Sequence, residues 1–267
     1  MTDEPSYSVV LSQSDRFDFN ALADILSSFL RVHRLDVITQ LKHSWGLLYK
    51  TPEKDKAQFL QKKFRRAGIE TFVLPGSKLK EVPRLKVLKK AIPEPEGLIY
   101  AKKREAKLLP WFSVILLCAG EVEETKRVKE TLPRNGKAKK WLMRTGLSVT
   151  TGVAIAYERS KKKEITKQEV GFSHYLDLIA KDGFESVRIV GDSFDYSYLG
   201  SRMKQNALLN FRSFALDVGK LSTHVIKNQG MRAIEGGAVM KGLRYDSVND
   251  FEQEKLWLMQ LTADVGR

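Results

Sequence analysis

The side chains best placed for chemistry in this sequence are cations. Between Lys126 and Arg144 stand Lys126, Arg127, Lys129, Arg134, Lys137, Lys139, Lys140 and Arg144, with Trp141 among them. Lysine and arginine reach phosphate oxygens, and a tryptophan stacks on a nucleobase or settles at a lipid interface. Pro133-Arg134-Asn135-Gly136 is turn chemistry at the centre of the stretch, so the expectation is a charged loop offered to an anionic partner. The bland alternative is a solvated lysine-rich face, with Trp141-Leu142-Met143 opening the next buried element. The sequence leaves both readings open.

Catalytic chemistry finds little support. His33, His43, His174 and His224 are scattered, and neither a C-x-x-C pair nor an H-x-x-x-H pair supplies metal-ligand spacing. Asp192-Ser193-Phe194-Asp195 holds two carboxylates suited to acid–base work. Its composition reads more simply as an Asx-type turn after a strand, with Phe194 or Tyr196 folding inward. Ser193 has no histidine nearby in sequence, and neither a Gly-x-Ser-x-Gly elbow nor a phosphate-cradling glycine loop is present. Gly230 to Gly242 is glycine-rich but follows no clear strand. The reading is therefore a non-enzymatic protein that takes no cofactor, metal or small-molecule substrate.

Composition agrees with a folded protein and locates its charge. The 267 residues are 42% hydrophobic and 29% charged, enough to build a core without disulfide staples. Residues 77–146 hold 18 lysines and arginines against 8 aspartates and glutamates, an excess of 10 within a net charge of +14. Such a concentration attracts acidic or phosphate-rich partners. The single cysteine, Cys118, lies in an apolar run and is expected to be a small buried hydrophobe. Met1-Thr2-Asp3-Glu4-Pro5-Ser6 lacks the features of a secretory signal, and the run from Leu108 to Ala119 falls short of a membrane span. That run is expected to be one strand buried on both faces, and the protein to be cytoplasmic.

The elements that would position these groups begin with an apolar strand, Ser8-Val9-Val10-Leu11. A helix follows around Ala21 to Leu26, and a second over Leu35 to Leu41. The strand Trp45 to Lys50 leads through Thr51-Pro52-Glu53-Lys54 into a third helix, and Ile69 to Leu74 is the last strand. In that third helix Ala57, Leu60, Phe64 and Ala67 share the inner face at helical spacing, and Gly68 occupies the left-handed stop. This β-α-α-β-α-β order, with its alanine-glycine exit into a strand, resembles the C-terminal domain of the bacterial ribosomal stalk protein and the related ClpS-type adaptors. The resemblance implies a bacterial-type protein-binding module rather than an enzyme. The segment Val32-His33-Arg34-Leu35-Asp36-Val37-Ile38-Thr39 lacks the glycines and lysines with which the stalk family meets translation factors, so that role is not carried over. No ClpS-type acidic pocket is assigned either.

Beyond Pro75-Gly76-Ser77 the pattern turns to strands: Leu85 to Leu88, Gly97 to Tyr100, Leu108 to Ala119, Leu147 to Tyr157, Phe172 to Ala180 and Ser186 to Val190. An amphipathic helix over Asn206 to Leu221 should pack on them. Several antiparallel strands closed by a helix fit a pleckstrin-homology-like barrel, and other α+β folds as well. Lys161-Lys162-Lys163 is expected at a hairpin tip. A helix over Asp250 to Leu261, capped by Ser247, offers Phe251, Trp257, Leu258 and Leu261 for docking on the body or on another subunit.

The expected class is α+β. A stalk/ClpS-like domain occupies residues 1–76, a linker 77–83, a strand-rich domain closed by a helix 84–221, and a C-terminal extension with a helix 222–267. The function this suggests is protein interaction or scaffolding within a larger assembly. The alternative is RNA or DNA binding through segment 126–144, and a third reading is contact with anionic membrane surfaces.

Overall fold

The strand β1 (Tyr7–Leu11) is apolar enough to be covered from both sides, and Val9 and Val10 are fully buried. It forms the centre of a three-stranded antiparallel sheet, between β2 (Leu47–Thr51) and β3 (Thr71–Pro75). Val9 stands opposite Tyr49 on one side and Val73 on the other. The computed structural model describes residues 6–12, 18–102, 105–131, 164–237 and 244–262. The chain is of the α+β class, and it divides into one compact unit of residues 1–123 with 172–267 and a second of residues 124–171. In the second unit 124–131 and 164–171 are described, both as strand.

The helices beside the first sheet start and stop where their caps dictate. Asp18 accepts hydrogen bonds from the backbone N–H groups of Asn20 and Ala21, opening α1 (Phe19–Leu30). Arg31 closes it in the left-handed conformation, and the imidazole of His33 then caps α2 (Arg34–Ser44) by accepting from the Leu35 N–H. The third helix, α3 (Lys54–Arg66), buries Ala57, Leu60 and Phe64 and ends before Gly68, whose φ is +76°. Ala67, expected on the inner face, is exposed, because the helical turn has ended by that residue.

A mixed sheet forms the body. Its order is β11 (Ile226–Lys227), β8 (Val114–Thr131), β9 (Glu164–Ala180), β10 (Val187–Val190) and β4 (Lys86–Leu88), with β12 (Arg244–Tyr245) also on β8. Antiparallel pairing throughout is the expectation this corrects. β4 runs parallel to β10, and β11 and β12 run parallel to β8. A separate antiparallel meander comprises β5 (Ala91–Glu94), β6 (Gly97–Lys102) and β7 (Glu105–Pro110). The single strand expected over Leu108 to Ala119 is broken at Trp111–Ser113, one turn of 3-10 helix. Local hydrogen bonds favour that break: the Trp111 indole donates to Glu94 O at 2.8 Å and the Ser113 hydroxyl to Pro110 O at 2.7 Å.

The pleat sorts the body's side chains into two cores. On β8, Leu117 and Ala119 face one and Leu116, Cys118 and Val122 the other. On β9, Leu176 and Leu178 face the first and Tyr175 and Ile179 the second. The first core is closed by α4 (Ala207–Leu221) through Phe211, Phe214, Ala215 and Val218, and by α5 (Gln229–Glu235) through Met231 and Ile234. The second is shared with Val9, Leu22, Leu60 and Phe64, and with Phe251, Trp257 and Leu258 of α6 (Val248–Leu261). Ser247 caps α6 as expected, accepting from the Asp250 N–H. The C-terminal helix thus docks on the body and beneath the first sheet at once. The expected strand over Leu147 to Tyr157 and the tip at Lys161-Lys162-Lys163 lie outside the described residues.

Candidate partner-binding surface

The outer side of α3 follows from the burial of its inner side. With Ala57, Leu60 and Phe64 turned inward, Phe59, Lys62, Lys63 and Arg66 fall at i, i+3, i+4 and i+7 along one outward stripe. Phe59 is 54% exposed. It is nonetheless held, for its ring lies 6.3 Å from that of Phe29 on α1, and Phe29 meets Tyr49 of β2 edge-on at 5.4 Å. The Lys63 ammonium sits over the Phe59 ring at 5.3 Å, a cation–π contact that leaves its charge at the surface.

A few residues beyond Phe29 in sequence, Val32 in the turn between α1 and α2 is 46% exposed, and Leu35 in the first turn of α2 is 63% exposed. This turn is braced. The Val32 N–H reaches Ser27 O, while Arg34 donates to Asp24 at 2.5 Å and to Asn20 at 2.7 Å. Along α3, on the exposed side that carries Phe59, the charge is mostly positive. Lys54, Lys56, Lys62, Arg65 and Arg66 are exposed on α3 against Asp55 and the preceding Glu53, and Glu53 is engaged with Lys56 at 2.5 Å. That hydrogen bond and the carboxylate's charge raise the Lys56 pKa. Lys62, Arg65 and Arg66 have no ion-pair partner among the described residues.

The charged groups inside the body serve architecture. Asp177, fully buried on β9, accepts two hydrogen bonds from Arg188 at 2.7 Å and one from Lys255 of α6 at 2.5 Å. Glu252 joins both cations, at 2.6 Å from Arg188 and 2.7 Å from Lys255. Burial lowers the Arg188 pKa, but the bonds to Asp177 and Glu252 outweigh it and raise the value overall. A second knot centres on Asn228, whose amide donates to Ala119 O, Tyr245 and Glu254 and whose carbonyl accepts from the N–H groups of Ala119 and Met231. Tyr245 donates to Glu254 in a short hydrogen bond. Burial pushes the Glu254 carboxyl up, partly offset by those donors. With Asp177, Lys255 and Glu254 all buried, both knots tie α6 to the sheet.

The sequence-level candidates distribute as follows. Lys126, Arg127 and Lys129 are on β8, whereas Arg134, Lys137, Lys139, Lys140, Trp141 and Arg144 lie outside the described residues. The Asp192 to Asp195 segment is a turn: Gly191–Ser193 makes one 3-10 turn, Phe194 is buried, and Asp195 accepts from the Ser197 N–H while pairing with Lys90 at 3.0 Å. Those bonds, the Lys90 contact foremost, lower the Asp195 pKa to about 2. His43 pairs with Asp250 at 2.9 Å, and among the described residues no three metal-ligating side chains converge. Trp45 is half-buried, its ring tilted against that of Tyr245 with centroids 5.4 Å apart, so it belongs to the packing. Among the described residues no helix is long and apolar enough to cross a membrane.

Phe59, Phe29, Val32 and Leu35 were not singled out in the sequence. The signal available was Phe59 itself, an aromatic residue out of phase with the buried positions of a lysine-rich helix. No protein-family model, curated protein or solved structure matches the chain.

Proposed function

We propose that this chain is a non-enzymatic interaction protein that joins a larger assembly through the outer face of its first three helices. The observation that carries this reading is the exposed Phe59, supported by Phe29 and framed by Lys62, Lys63 and Arg66. A large aromatic side chain left at the surface and held in place is costly to solvent and valuable at an interface. The β-α-α-β-α-β order of the first six elements is compatible with the stalk-like or ClpS-like module, whose binding role the proposal shares. The strand-rich body supplies a scaffold that fixes this module through α6.

The test is capture from a nuclease-treated cell extract by the full chain and by its Phe59→Asp and Leu35→Asp variants, read by quantitative mass spectrometry. Proteins retained by the unaltered chain and lost from both variants support the reading. Identical protein sets on all three chains would overturn it. The nucleic-acid alternative rests on the excess of 10 charges in residues 77–146. Oligonucleotide affinity that falls linearly on a log–log salt plot, and collapses on reversing Lys137, Lys139 and Lys140, would favour that alternative.

A further inference from the structure

We infer that the partner recognised by this face is an acidic segment of another protein, carrying apolar side chains between its carboxylates. The inference rests on the interaction reading above and adds the chemistry of what binds. Two features of the surface select it. Lys62, Arg65 and Arg66 stand exposed on the last turns of α3, without ion-pair partners among the described residues. They present positive potential that a carboxylate-rich segment complements and a basic one does not. On the same helical stripe as Lys62 and Arg66 stands Phe59, and Val32 and Leu35 are exposed just beyond α1; each gains by burial against leucine, phenylalanine or similar side chains.

A nucleic acid could meet the charges but would leave the apolar groups poorly matched. Lys63 already covers a face of the Phe59 ring, so a stacking base would have to displace it. Val32 and Leu35 offer methyl groups rather than flat rings. The spacing of Phe59, Lys62, Lys63 and Arg66 along one helical stripe suits a ligand in which apolar and acidic side chains alternate over a similar length.

The experiment is selection of a random-peptide display library on the full chain, with parallel selections on Phe59→Asp and on the Lys62→Glu/Arg66→Glu double variant. All three positions are exposed, and matched thermal melts establish that each variant is folded. Selected peptides are then titrated by fluorescence anisotropy at low and high salt. Enrichment of acidic peptides with interspersed apolar residues is expected. Their affinity should fall about tenfold or more in either variant, and also as salt rises. Enrichment of neutral or basic peptides that depend on Phe59 would overturn the acidic-partner inference and leave the interaction surface standing. Equal enrichment on the Phe59→Asp chain would remove both. Displacement of the selected peptides by a thymidine oligonucleotide at equal concentration would reassign the face to nucleic acid.

Discussion

Gly46 lies directly against the indole of Trp257: a methyl group added to Gly46 would sit 2.0 Å from Trp257 Cε2 and Nε1. The same indole donates a hydrogen bond to Leu11 O at 2.9 Å, and Gly46 O accepts from the Leu11 N–H at 2.8 Å. Gly46→Ala is therefore expected to destabilise the chain by about 1–3 kcal/mol through overpacking. Trp257→Ala is expected to cost about 3–5 kcal/mol through the lost volume. Urea denaturation of the two variants measures both, and an unchanged midpoint for Gly46→Ala would mean that the indole moves aside.

Asp177 is the shared partner of two cations, and its removal should weigh more than the removal of either. Asp177→Leu leaves Lys255 buried with only Glu252 beside it, and a cost of about 3–5 kcal/mol is expected. Lys255→Met leaves Asp177 in its two-pronged bond with Arg188 and should cost less. The double variant completes a cycle, with a coupling energy expected at about 1–3 kcal/mol. Additive single effects would show that the pair is not coupled.

Cys118 is fully buried, and burial first, then the nearby Glu254, raises its pKa well above that of a free thiol. In the native protein Ellman's reagent should leave it unmodified, and its labelling rate in urea should track global unfolding. Rapid labelling without denaturant would reveal an opening of the second core that spares the rest of the fold.

His174 lies tilted against Phe211 with ring centroids 5.7 Å apart, and burial lowers its pKa below 6.5 against the opposing charges of Glu121 and Asp192. The neutral ring is the one the fold accommodates. Its contribution to stability is complete above pH 6.5 and is lost as the pH falls through the depressed native value. An NMR titration of the His174 ring should give a midpoint under 6.5. In His174→Phe the corresponding acid-side slope of the melting temperature should flatten.

Local chemistry made much of the fold readable. The first six elements, the left-handed stop at Gly68 and the Ser247 cap each depend on a few adjacent residues, and each is present. Pairings between distant segments were not readable, because β4 beside β10 and β11 beside β8 leave no local mark. The strand β5 was not read from the sequence; it carries Pro93, whose missing N–H is tolerated because β5 forms an edge. On α3 attention to Ala57, Leu60 and Phe64 found the inner face and passed over Phe59. The basic segment was plain in composition, but charge alone does not distinguish a binding loop from a solvated one.

The bond from Trp257 to Leu11 joins residues 246 positions apart, and this sets an order on synthesis. When the first 75 residues leave the ribosome, their sheet still lacks the cover that α6 supplies. Val9 and Leu11 belong to a core that also needs Phe251, Trp257 and Leu258, so these strand residues are made long before the core around them can close. Until then the nascent chain carries an uncovered apolar face, and a chaperone or a neighbouring polysome would meet it before its own helix does.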